Sequence, residues 1–307
     1  MKYEEFHVVL NPASSGGEAG RRWQETEKHV RRVLENVSCE QTAAPGDGER
    51  LAASAIHAGA KTIVVVGGDG TLSEVVNGLL QFSEGQRPKL AVLNHGTGGD
   101  FARTIGTPTD LQLMLEKIKA GREHRIDAGR MTFLNHQGIP TKRHFINIAG
   151  CGLAGSVVQS INQNVKRFGA FSYFSASFTN ALTYNNAKVR ISLDDGPQTQ
   201  ETITTVAVCN GQFFGGGMQI APGASITDGL LNVTILGNWN LAQKIRYSRN
   251  LYNGTIEQCG GVRTARVKRI VIEPENLNDV LIDCDGEAPG KIPMAAEILP
   301  GAVRLII

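Results

Sequence analysis

The chain has 307 residues, 41% of them hydrophobic and 20% charged, with a formal net charge of +2 at pH 7. That length can bury two cores of ordinary size, and the composition excludes a disordered chain. A charge so near zero argues against a nucleic-acid partner, and no apolar run reaches the ~20 residues of a membrane-spanning helix. Residues 1–10 are charged and then strand-like, without the shape of a signal peptide. The five cysteines (Cys39, Cys151, Cys209, Cys259, Cys284) are scattered with no C-x-x-C pair. Reduced thiols in a cytoplasmic protein are therefore expected, and a zinc site is not.

In chain order, 6–10 reads as a short buried strand, and 19–37 as a helix with Trp23, Val30, Val33, Leu34 and Val37 on one face. Residues 51–57 read as helical, and 61–66 as an uninterrupted β-branched strand. Over 71–81, Leu72, Val75, Val76, Leu79 and Leu80 fall at the i, i+3, i+4, i+7, i+8 spacing of a helix facing a core. A further strand at 90–93 and a further helix at 111–119 complete the alternation. Apolar strands alternating with helices predict a parallel sheet covered on both faces, with ligands bound at the carboxyl ends of its strands. Asn11 and Gly67 stand at two such ends.

After about residue 129 the pattern changes. Val189, Ile191 and Leu193 alternate with polar residues, and 202–208, 230–236, 267–272 and 280–282 are further strand candidates between Gly, Pro, Asn and Asp turns. Only 168–182 reads as helical. The fold class expected is α/β plus mainly β: a nucleotide-binding domain at 1–130, then an antiparallel β-sandwich at 131–307 whose last strand is free to return to the first domain. The exposed edges of such a sandwich make a homodimer plausible.

Four motifs carry chemistry. Val64-Val65-Val66 runs into Gly67-Gly68-Asp69-Gly70-Thr71, and a helix follows at once. Glycines there let the backbone approach an anion closely, and the helix start offers free N–H groups. Asp69 would repel phosphate unless a metal stood between, which suggests a metal–nucleotide site. Asn11-Pro12-Ala13-Ser14-Ser15-Gly16-Gly17 and Gly96-Thr97-Gly98-Gly99-Asp100 follow two other strands of the same sheet. Far along the chain, Asp285-Gly286-Glu287 places two carboxylates in one turn, a pairing suited to accepting a proton. All seven histidines lie at or before His144, so a base in the second half has to be a carboxylate or come from elsewhere.

Each piece alone is ambiguous, since Gly-Gly-Asp-Gly also occurs in phosphofructokinases and NAD kinases. In order, with Phe101-Ala102-Arg103 after Asp100 and with Gly216-Gly217-Met218 and Gly229-Leu230-Leu231 before Asp285, they resemble the lipid kinases of the diacylglycerol kinase and sphingosine kinase type in their soluble bacterial form. The resemblance covers essentially the whole chain. It implies a first domain of phosphofructokinase or NAD-kinase type, with Mg2+ and ATP as co-substrate. The triphosphate would lie around Gly67, Gly68, Asp69, Gly70, Thr71, Leu72 and Ser73, with Asn11, Thr42, Gly96 and Thr97 contacting nucleotide. Asp285 matches the proton acceptor, with Glu287 beside it, and Asp69 counts among the catalytic acids. Asp69, Asp100 and Asp127 resemble the positions that hold catalytic magnesium. Ser225, Asp228 and Leu230 match a structural magnesium loop.

The activity implied is phosphorylation of a primary hydroxyl of a lipid, foremost diacylglycerol giving phosphatidic acid, with a place in phospholipid biosynthesis and transient contact with a membrane surface. Three departures from the family pattern stand out: Asn94-His95 where Pro-Leu is usual, Gly99 where Asn is usual, and Thr227 where a second Asp is common. An NAD kinase-like enzyme and an inactive nucleotide- or lipid-sensing relative are the alternatives. Phe168, Phe171, Tyr173, Phe174, Phe178, Phe213 and Phe214 are candidates to line an acyl groove or simply to fill a core.

Overall fold

The computed structural model describes residues 5–94, 99–168, 183–276 and 279–307. The chain forms two compact units, Met1–Asp127 with Gly301–Ile307, and Ala128–Pro300. Two long strands, β5 (Glu123–Asn135) and β17 (Gly290–Ile306), run from one into the other.

In the first unit β1 (Phe6–Leu10), β2 (Val37–Gln41), β3 (Thr62–Gly67) and β4 (Lys89–Asn94) are parallel in the order β2-β1-β3-β4. The end of β17 adds a parallel strand beside β4, with Leu305 opposite Leu90. β1 and β3 are buried at every position, which is why both read as continuous apolar runs. The connections carry α1 (Glu18–Val33), α2 (Asp47–His57), α3 (Asp69–Leu79), α4 (Asp100–Ile105) and α5 (Leu111–Ala120). Trp23 and Val30 of α1 and Leu115 and Ile118 of α5 cover one face, packed on Val8, Leu10, Val64 and Val66. The helix expected over 19–37 ends earlier than its apolar spacing suggests. Leu34 is already extended, Asn36 turns the chain with φ at 53°, and Val37 begins β2.

The second unit holds an antiparallel sheet in the order β14-β13-β10-β7-β16: β14 (Val262–Val267), β13 (Leu231–Leu236), β10 (Thr205–Cys209), β7 (Ile148–Gly152) and β16 (Ile282–Cys284). Opposite it the first part of β17 pairs β15 (Arg269–Pro274), then β8 (Ala187–Leu193) and β9 (Thr199–Ile203). β5 forms a hairpin with β6 (Pro140–Phe145). A short ribbon pairs β11 (Phe213–Phe214) with β12 (Met218–Gln219). Val206, Val208, Leu231, Val233 and Ile282 from the first sheet meet Val189, Ile191, Ile203, Ile270, Ile272 and Met294 in one core, the interior of a sandwich.

Two expected strands each prove to be two. The run at 202–208 breaks at Thr204, whose amide donates to the carbonyls of Leu236 and Gly237 while its hydroxyl donates to Gly237 at 2.7 Å. The run at 267–272 breaks at Lys268, where Asp194 accepts the amides of Lys268 and Arg269 at 2.8 and 2.9 Å. At both corners the chain passes from one sheet to the other. Among the described residues of the second unit two helices were also missed, α6 (Leu153–Phe168) and α7 (Leu241–Tyr252). The first is rich in Gly, Ser, Asn and Val, poor helix formers; the second has no buried residue to mark a face. The helical expectation for 168–182, with Phe171, Tyr173, Phe174 and Phe178, otherwise lies outside the described residues.

Candidate active site

The glycine-rich turn of the first unit begins where β3 ends. A Cβ on Gly67 would stand 2.7 Å from the Thr71 hydroxyl, so only glycine lets the first turn of α3 fold back on the strand. Gly68 is extended, and α3 opens without a side-chain cap, leaving its first amides pointing out of the carboxyl edge of the sheet. Asn11, at the end of β1, accepts the Ala13 amide and donates to Thr71 Oγ1 at 2.9 Å. Its main-chain amide binds the Val66 carbonyl. Asn11 and Thr71 are thus brought together, with Asn11 fixing the direction of the Thr71 hydroxyl.

Leu72 and Ser73 are buried, so what they present to this edge is main chain. Thr42 follows β2 and donates its amide to Leu10. The loop after it is closed by Asp47, whose carboxylate takes the amides of Ala43 and Ala44 and is held below the ordinary carboxylate range first by the Ala43 bond. The start of α2 is differently placed from that of α3, since Glu74 already accepts the amides of Gly46 and Gly48, each at 2.8 Å. Its anion comes from within the protein, whereas α3 keeps its start open.

Asp69, the second residue of the turn after Gly67, reaches across to the start of α4. It accepts the amides of Asp100 at 2.6 Å and Phe101 at 3.3 Å. Gly99 is what permits this, because a Cβ there would overlap the Asp69 carboxylate. The unusual glycine therefore has a physical role: an asparagine at this position would displace Asp69. Burial pushes the Asp69 carboxyl above its ordinary value, and the nearby Asp100 charge adds to the rise while the two amides oppose it. Asp100 pairs with Arg103 at 3.5 Å. Asp127 is buried in β5 and accepts the Gly301 amide at 2.7 Å. Gly96 and Thr97 lie outside the described residues.

A separate group of acids lies in the second unit. Cys284 and Glu287 exchange main-chain hydrogen bonds, and Asp285 and Gly286 between them have φ of 49° and 83°. That is the Asp-Gly hairpin turn with both central residues left-handed. Turn chemistry accounts for the sequence Asp-Gly but not for the rest. Asp285 is buried, and its two oxygens accept the amides of Ile146, Asn147 and Ile148 at 2.9, 3.0 and 3.0 Å. Glu287 is paired with Arg143 at 2.8 Å.

Asp283 completes the cluster, and sequence reasoning did not single it out. It is buried, accepts the Gly286 amide at 2.9 Å, and has its carboxyl pushed up to about 7, first by burial and then by the charges of Asp285 and Glu287. Its position two residues before Asp285 was the available signal. Arg143, far away in sequence, gave none.

Magnesium is implied for this type of site, and the donors present answer differently in two places. Asp69 and Asp100 are a desolvated, mutually repelling acid pair, the kind of charge a divalent cation relieves. The Ser225–Leu230 loop is otherwise. Asp228 accepts the Leu230 amide at 3.0 Å and its other oxygen meets the Arg266 guanidinium at 2.6 Å, while the Ser225 and Thr227 hydroxyls lie 3.4 Å apart. The Arg266 guanidinium already holds that carboxylate. Among the described residues no group of three or more His, Cys, Asp or Glu side chains is placed to hold a metal ion by itself. None of the described helices is long and apolar enough to cross a membrane.

Residues 5–131 match the diacylglycerol kinase catalytic domain, and residues 147–307 match the YegS C-terminal NAD kinase beta sandwich-like domain. A Chromohalobacter salexigens protein named "Probable lipid kinase YegS-like" is 29% identical over 277 residues, 90% of this chain and 85% of its own length. A Staphylococcus aureus diacylglycerol kinase is 27% identical over 288 residues, 93% of this chain and 87% of its own. Among solved structures, a diacylglycerol kinase from Bacillus anthracis superposes with a TM-score of 0.72 at 22% identity, covering 100% of this chain and 97% of its own. An Archaeoglobus fulgidus NAD kinase in complex with ATP superposes with a TM-score of 0.52 at 15% identity, covering 98% of this chain and 93% of its own. At these identities the two structures show a shared fold.

Proposed function

Because the chain belongs to the lipid kinases built from a diacylglycerol kinase catalytic domain and a YegS C-terminal domain, we propose that it transfers the γ-phosphate of ATP to the primary hydroxyl of diacylglycerol, giving phosphatidic acid and ADP. Each unit holds its own set of residues. In the first, Gly67, Gly68, Gly70 and the open start of α3 receive the triphosphate, Asn11 orients Thr71, and Thr42, Gly96 and Thr97 complete the nucleotide contacts. In the second, Asp285 accepts the proton of the acceptor hydroxyl as that oxygen attacks the γ-phosphorus and the bond to the bridging oxygen breaks. Arg143 keeps the Glu287 charge from opposing the phosphoryl group. Magnesium, held at Asp69 and Asp100 with the nucleotide, would supply charge neutralisation on the transferring group. The acceptor is met at a membrane surface.

The observation that carries this reading is the build of Asp285. A non-glycine residue held at φ 49°, buried, with both carboxylate oxygens fixed by three main-chain amides, is a side chain whose direction is over-determined. Carboxylates are weak bases, so a fixed direction is what lets one serve in phosphoryl transfer. The test is transfer of radiolabelled phosphate from ATP with magnesium, offering diacylglycerol, a sphingoid base, monoacylglycerol and phosphatidylglycerol in mixed micelles, and NAD in solution. Label in diacylglycerol is expected. Label in NAD alone would replace the reading with an NAD kinase, and no transfer with ATP still bound would leave a sensor.

A further inference from the structure

Five large hydrophobic side chains are exposed among the described residues, and three of them, Leu241, Ile245 and Tyr252, lie on α7. At about 100° per residue, positions 241, 245 and 252 fall within a sector of roughly 40°, with Ser248 close beside it. They form one stripe facing solvent, 46%, 54% and 60% exposed. The helix is not loose. Asn240 and Gln243 close a capping box at its start, and Tyr247 and Leu251 on its inner side pack on a core cluster that includes Trp239, with the Tyr247 and Trp239 rings 5.1 Å apart.

Charge lies beside the stripe. α7 carries Lys244, Arg246 and Arg249 and no acid. Lys244 is held by the Tyr184 carbonyl at 2.9 Å, while Arg246 and Arg249 are exposed. Over 241–269 there are seven basic residues and a single acid, Glu257. Two of the seven, Arg263 and Arg266, are already paired with Glu201 and Asp228.

We propose that α7 is a bilayer-docking helix, which lies flat on an anionic membrane with Leu241, Ile245 and Tyr252 in the interface and Arg246 and Arg249 on the headgroups. An amphipathic helix with an apolar stripe and a purely basic polar side is the form that binding to anionic lipid takes. A second copy of the chain fits less well. Three side chains fall far short of the ~800 Å² per partner of a stable interface, and a two-fold contact would set two acid-free basic helices against each other. This docking role rests on the lipid-kinase reading and deepens it, since a water-insoluble acceptor has to be met at a surface.

Co-sedimentation of the full chain with phosphatidylglycerol–phosphatidylcholine vesicles, without ATP, tests it, with pure phosphatidylcholine as control. The wild type is expected to pellet with the anionic vesicles and lose that binding as salt rises. Leu241→Ser/Ile245→Ser/Tyr252→Ser is expected to reduce binding about tenfold or more, and Arg246→Gln/Arg249→Gln to abolish the preference for anionic lipid. All three proteins should phosphorylate a short-chain diacylglycerol in detergent equally, which also shows that the variants are folded. Undiminished binding by the triple variant, or equal binding of wild type to both vesicles, would overturn the proposal. So would a wild-type dimer that the triple substitution converts to monomer without any vesicle binding. Vesicle binding with no phosphorylation of the short-chain acceptor would retire the kinase reading and leave the docking helix standing.

Discussion

Replacing Asp283 by asparagine is expected to stabilise the protein, and increasingly so as pH rises. In the folded state this carboxyl titrates at about 7 against an ordinary value of 3.8, so the native protein holds a proton there that the unfolded chain has released. The sign follows from linkage. Asp283 favours folding below about pH 4, that contribution is lost as pH rises through about 7, and above that the full cost of a buried charge is present. A rise from 3.8 to about 7, at about 1.36 kcal/mol for each tenfold change in proton affinity, amounts to roughly 4 kcal/mol. That is an upper figure for a buried group with two acidic neighbours. Asparagine keeps an oxygen for the Gly286 amide and carries no charge at any pH. The variant should match the wild type below about pH 4, already exceed it near pH 5, and exceed it by up to about 4 kcal/mol at pH 8–9. For a unit of this size that is about 2–4 °C in melting temperature per kcal/mol. Thermal unfolding of both proteins from pH 5 to 9 is the assay. A difference that does not change with pH would refute the assignment of a protonated Asp283.

The other expectations concern the nucleotide half and the metal loop. Gly99→Ala should drive Asp69 from the amides of Asp100 and Phe101, at a cost of about 2–4 kcal/mol, and weaken ATP binding measured by calorimetry. An unchanged melting temperature and affinity would show that Asp69 does not depend on those amides. Removing divalent metal with EDTA should leave the melting temperature of the apo wild type unchanged, because Arg266 already satisfies Asp228. Arg266→Ala should cost no more than about 1 kcal/mol, as the pair is partly exposed, and should make stability respond to added magnesium. A wild type that melts earlier in EDTA would contradict the reading of that loop.

Much of the first unit was legible because its strands are buried on both faces. Val64-Val65-Val66 into Gly67-Gly68 states a central parallel strand and the turn after it, and the spacing from Leu72 to Leu80 states the helix that follows. The sandwich was legible as a class but not in its corners. Thr204 and Lys268 turn the chain between sheets through hydrogen bonds to Gly237 and Asp194, partners far away in sequence. The site was legible as motifs and not as a network. Nothing local announces that Asp69 takes the amides of α4, that Asp285 takes three amides from the link between β6 and β7 and the first residue of β7, or that Arg143 answers Glu287. Gly99 stood out only as a departure from the usual Asn, and it leaves the space in which the Asp69 carboxylate sits.

The central claim is that Asp285 takes the proton of the acceptor hydroxyl. The most direct test compares Asp285→Asn with the wild type, measuring phosphate transfer to diacylglycerol and ATP binding in parallel, with thermal unfolding to confirm that the second unit is folded. The account predicts a loss of about 10²–10⁴-fold in turnover, the range of a general base, with ATP affinity nearly intact. Turnover within a few-fold of the wild type, or equal losses of turnover and ATP binding in a folded protein, would contradict it.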